Sequence, residues 1–166
     1  MDPFSVLESL GEIGIAITGF AGLVAVVGRR SADGWTDEDR ANLRSLLLWS
    51  LGAVFLAFVP LVLASFGGAL ADPWRLANAI FAAFHAWVFF EVIRGIRARG
   101  VPVTPFARGL FAVGFGVLGC EVLAAAGPFA AVAASIYLVA VLWFLFLAVT
   151  RFVAIVGDEL SVPRAR

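Results

Sequence analysis

Lysine is absent from this 166-residue chain, and all 12 basic residues are arginine. No retinal Schiff base or lysine nucleophile can therefore form. Cysteine and histidine occur once each, as Cys120 and His85. That excludes an internal disulfide, an ordinary structural zinc site and a bis-histidine haem site within one copy. Charge is scarce: Asp, Glu and Arg make up 14% of the chain, and 12 acids balance the 12 arginines. No basic tract supplies the electrostatic footprint of a nucleic-acid binder, so nucleic acid is not an expected partner. A Gly-rich phosphate loop, a nucleophile-elbow serine, a Cys/His cluster and a loop long enough for a catalytic domain are also missing. An enzyme, a cofactor and a bound metal are therefore not expected.

What fills the chain instead is apolar surface, at 62% of residues with a mean hydropathy of +1.00. Several runs exceed the ~17–25 residues that a bilayer-crossing helix needs. The expected fold class is all-α, a polytopic membrane protein folded as a single transmembrane helical domain over residues 1–166, with lipid as its solvent. Five spans are predicted, over residues 5–28, 45–66, 74–93, 109–126 and 129–150.

Local signals set these boundaries. No arginine precedes the first run and Asp2, Glu8 and Glu12 make its start acidic, so it is read as a retained helix rather than a cleavable signal. Arg29 and Arg30 stop it. Thr36, followed by Asp37, Glu38 and Asp39, has the composition of a helix N-terminus leading through Arg40 and Arg44 into the second span. Pro60 lies within that span and is expected to kink it. Asp72-Pro73 and Gly127-Pro128 punctuate the starts of the third and fifth spans.

Arginine placement orients the chain. Eleven arginines fall in the segments after spans one, three and five, and only Arg75 falls on the other side. The positive-inside rule then puts the N-terminus outside and the C-terminus in the cytoplasm.

Helix association in lipid depends on close backbone approach, which small residues permit. Gly14, Thr18, Gly22 and Ala25 in span one, and Ala112, Gly116, Cys120 and Ala124 in span four, follow such spacings. These two helices are expected to form the packing seam, either within the chain or as a dimerisation or pore-lining surface.

Ionisable residues inside a span are costly and are candidates for function by default. Glu121 is the only charged residue between Gly109 and Thr150. By helical rise, Glu12 and Glu121 come out at similar depths, and two facing carboxylates would share a proton or bind a cation. Pairing of Glu121 with Arg75 is the plain alternative. His85 falls near the middle of span three, with Ser50, Thr18 or Tyr137 as possible hydrogen-bond partners. Glu91 is expected to pair with Arg94 at i+3.

The segment Ala16-Ile17-Thr18-Gly19-Phe20-Ala21-Gly22-Leu23-Val24, its stop at Gly28-Arg29-Arg30, then Trp35, Asp39-Arg40 and Ser50-Leu51-Gly52-Ala53-Val54-Phe55, resembles a group of small uncharacterised bacterial multi-pass membrane proteins. The resemblance covers about the first third of the chain. It implies a bacterial inner membrane and carries no functional residue with it. Two functions are open on the sequence. One is a small proton or cation transport or channel-like protein using Glu12, Glu121 and His85, oligomeric in form. The other is a non-transporting scaffold or accessory subunit that binds a membrane protein through the small-residue seam.

Overall fold

A computed structural model describes residues 2–28, 37–67, 72–100 and 102–161. Among them every regular element is helical: α1 (Pro3–Gly28), α2 (Asp37–Ser65), α3 (Pro73–Arg99), α4 (Pro105–Ala126), a 3₁₀ turn (Ala130–Val132) and α5 (Ala133–Ser161). All five α-helices are long and apolar enough to cross a membrane, over Pro3–Leu23, Arg40–Ser65, Pro73–Ala98, Pro105–Ala126 and Ala130–Val156. The expected class and number of candidate spans agree with this. The predicted spans stop before an arginine that the helix runs through: α3 continues past Ile93 to Arg99, and α5 past Thr150 to Ser161. Thr36, Arg29 and Arg30 lie outside the described residues, so the expected cap and stop there do too.

Caps explain where α3 and α4 begin and end. The Asp72 carboxylate accepts from the amides of Trp74 and Arg75 at 3.0 and 3.2 Å, with Pro73 in the first helical position, where a missing N–H costs nothing. Thr104 Oγ1 accepts from the Ala107 amide at 3.2 Å, with Pro105 behind it. Gly100 and Gly127 close the two helices in the left-handed region, at φ +63° and +112°. Pro60 is buried within α2, which continues to Ser65.

The chain divides into two compact units, residues 1–58 with 141–166, and residues 59–140. In the first, α1 turns one face inward: Leu7, Gly11, Gly14 and Ala21 are buried. A Cβ at Gly14 would stand 2.7 Å from Val54 Cγ2, 3.4 Å from Leu145 Cδ2 and 3.5 Å from the Ser50 carbonyl oxygen, so α1 packs its backbone against α2 and α5 here. One turn on, Thr18 Oγ1 lies 2.8 Å from the Gly14 carbonyl and 2.9 Å from Ser50 Oγ, while Ser50 donates to the Leu46 carbonyl at 2.9 Å. Arg151 bonds Asn42 Oδ1 at 3.4 Å and lies 5.4 Å over the Trp49 ring, which holds the α5 guanidinium on α2.

In the second unit α3 and α4 run antiparallel, with Arg75 against Ala125 and Phe89 against Gly114. A Cβ at Gly114 would overlap Phe89 Cζ, with both Cε atoms 3.2 Å away, so glycine lets the tip of that ring reach the α4 backbone. Phe111 and Phe115 then meet Phe89 edge to face, with ring centroids 5.8 and 5.0 Å away.

Candidate functional site: a buried polar cluster

The inward face of α3 carries Asn78, Phe81, His85 and Phe89 at spacings of three and four residues, and all four are buried. Glu121 is the one charged side chain that α4 turns the same way. His85 Nδ1 lies 3.1 and 3.2 Å from the two Glu121 carboxyl oxygens, and both side chains have 0% exposure.

Backbone direction brings the two together. A helical side chain leans toward the N-terminus of its own helix, so in an antiparallel pair the leans oppose one another. Glu121 lies one turn from the end of α4, and His85 lies three turns into α3. The imidazole leans back toward the start of α3 while the carboxylate leans down α4, and the lean closes the difference in height. Phe89 packs edge-on to the imidazole with centroids 4.7 Å apart, and Phe81 lies 6.3 Å away on the preceding turn.

Two further polar side chains complete the cluster. Tyr137 of α5 is fully buried, meets Phe81 and Trp74 edge to face at 5.2 and 6.0 Å, and lies within electrostatic reach of Glu121. Asn78 donates from Nδ2 to the Trp74 carbonyl at 2.8 Å and to the Ala133 carbonyl at 3.0 Å. Its amide thus ties α3 to the start of α5. Both partners are acceptors, which fixes the amide orientation, and Oδ1 is left buried with no hydrogen bond among the described residues.

The chemistry open to His85 and Glu121 is proton exchange. A protonated carboxyl beside neutral imidazole and a carboxylate beside imidazolium are both neutral overall. Neutral imidazole donating Nδ1–H to a carboxylate carries one negative charge. Passing between the neutral forms and the last loads or unloads one proton. Among the described residues no group of three or more His, Cys, Asp or Glu side chains is placed to hold a metal ion.

The structure unites His85 with Glu121 and distributes the other expected residues elsewhere. Glu12 is exposed on α1, as is Glu8, and Glu12 is not part of the buried cluster. Equal depth fixes height and leaves direction around the helix open: Glu12 stands about 100° from Gly11 and about 200° from Gly14, off the inward face. Arg75 does not take Glu121 either. Its Nε donates to the Ala125 carbonyl at 3.2 Å, filling an acceptor in the last turn of α4. Glu91 and Arg94 do pair, at 3.2 Å.

Gly14 and Thr18 are at a close approach, but their neighbours belong to α2 and α5. Gly22 is exposed, with nothing within 4 Å of an added Cβ, because Ala21 takes the next inward position. On α4, Ala112, Gly116 and Cys120 are exposed and only Ala124 of that stripe is buried. A strict four-residue spacing drifts about 40° per step around a 3.6-residue helix, so the stripe reaches the inward face only at its last member. Asn78 was missed on the sequence, although its position seven residues before His85, on the same face, was a usable signal.

Comparison of the chain with protein families, with curated proteins and with solved structures finds no match.

Proposed function

We propose that this chain is a small multi-pass protein of a bacterial inner membrane, N-terminus outside, that conducts or couples protons through the His85–Glu121 pair. The observation that carries the reading is the complete burial of an imidazole and a carboxylate 3.1 Å apart on two helices long and apolar enough to cross a bilayer. Ionisable groups at such depth are expensive, and proton relays are among the roles that retain them. Arginine asymmetry supports the orientation, and the resemblance of the first third supports the location.

The test uses purified protein in vesicles enclosing a pH-sensitive dye, with an imposed potassium diffusion potential. Wild-type protein should acidify the lumen. Glu121→Gln, which keeps shape and loses the titratable group, should reduce the rate to that of empty vesicles, and His85→Gln should do the same. Unchanged flux in both variants overturns the reading.

A second reading, a non-transporting accessory subunit, draws on the outward small-residue face of α4. Ala112, Gly116 and Cys120 are exposed, and an added Cβ at Gly109, Gly116 or Gly119 would meet nothing within 4 Å. A partner helix, from another copy or another protein, could approach closely there. On this reading Gly116→Leu disrupts an oligomer or co-purifying complex while Glu121→Gln leaves it intact.

A further inference from the structure

The last turns of α3 carry a feature unrelated to the buried cluster. A groove of about 340 Å³ is lined by Phe90, Ile93, Arg94 and Arg97. These residues recur at three- and four-residue steps, so one stripe of the helix changes from apolar to cationic along its length. Phe90 is 60% exposed and the Arg94 side chain 66%. The candidate span ends at Ala98, which puts both guanidinium groups within the final turn or so of the helix, at headgroup height if α3 crosses the bilayer.

Charge narrows the occupant. Glu91 Oε2 bonds Arg94 Nη2 at 3.2 Å, so this carboxylate offsets one of the two cations and holds the Arg94 fork in place. Arg97 has no acidic partner within salt-bridge distance among the described residues. The net charge of the group is close to +1, which matches the single negative charge of a phosphodiester. A guanidinium fork suits phosphate oxygens, and the exposed Phe90 and half-buried Ile93 suit an acyl chain running back along the helix. We propose that this groove binds one anionic phospholipid whose headgroup adds no positive charge, with its phosphodiester on Arg94 and Arg97 and an acyl chain against Phe90 and Ile93. Basic pockets at the ends of transmembrane helices recognise lipid headgroups by this chemistry.

The experiment is native mass spectrometry on the full chain, delipidated in detergent and incubated with phosphatidylglycerol or phosphatidylcholine of identical acyl composition. Wild-type protein should retain phosphatidylglycerol about tenfold better, the equivalent of one charge-assisted hydrogen bond. Arg94→Gln combined with Arg97→Gln should abolish the preference, and Arg97→Gln alone, at an exposed position, should reduce it several-fold. Arg108→Gln, an exposed arginine in the first turn of α4 that does not line the groove, should leave it unchanged. Excess inorganic phosphate should not displace the lipid, because it offers nothing to Phe90 and Ile93. The proposal is overturned if the double variant keeps the preference, if Arg108→Gln lowers it equally, or if phosphate alone empties the site.

Discussion

Single atoms decide much of the second unit. The Glu121 carboxyl and His85 Nδ1 meet out of reach of water, so truncating one strands the other. Breaking a buried charged pair typically costs about 3–5 kcal/mol, whereas a neutral hydrogen-bonding replacement costs about 1 kcal/mol. Glu121→Ala should therefore unfold at clearly lower denaturant than Glu121→Gln when detergent-solubilised protein is titrated with sodium dodecyl sulfate. Equal losses would mean that the carboxylate is not held by the imidazole. Gly127 makes a second case. Its φ of +112° suits glycine, and an added Cβ would press to 3.4 Å from Arg75 Nη2. Gly127→Ala should lower stability by about 1 kcal/mol or more in the same titration, because the unfavourable conformation has no compensating contact.

For the helices, what was legible in the sequence follows from how each signal arises. Apolar length is a property of consecutive residues, and it marked α1 to α5. Caps are local as well, so Asp72-Pro73 and Gly127-Pro128 punctuate the chain where read. Facing direction is a relation between helices, which the sequence of a single helix does not state. Height along a helix relates Glu12 to Glu121, and spacing links Ala112, Gly116 and Cys120, yet neither property says which way a side chain looks. His85 and Glu121 were each singled out because their chemistry is rare in an apolar run. Their union was not seen because opposed side-chain lean offsets a difference in height. Two of the α1 glycines, Gly14 and Gly22, test this distinction directly. Gly14→Ala should destabilise by about 1–3 kcal/mol, since the new methyl meets Val54. Gly22→Ala should be neutral or stabilising by up to about 1 kcal/mol, since open space surrounds it and alanine is the better helix former. Thermal melts of the two variants in one detergent compare them.

For the molecule as a whole, the proposed topology has five crossings, which requires the chain ends on opposite faces, with the C-terminal one inside as the arginine distribution suggests. Reporter fusions should show an alkaline phosphatase joined at the N-terminus active outside and a green fluorescent protein joined at the C-terminus fluorescent inside. Both ends on one face would make the number of crossings even and overturn that topology. The His85–Glu121 geometry would survive that result, because it is internal to one unit.

Cys120 is the chain's lone thiol and is exposed, and its sequence neighbour Glu121 is buried. The unmodified protein therefore already carries a unique attachment point for a spin label or fluorophore, one residue from the acid and directed away from it. A probe placed there would show whether α4 rearranges when the pH is changed, with no engineered residue and no competing label elsewhere.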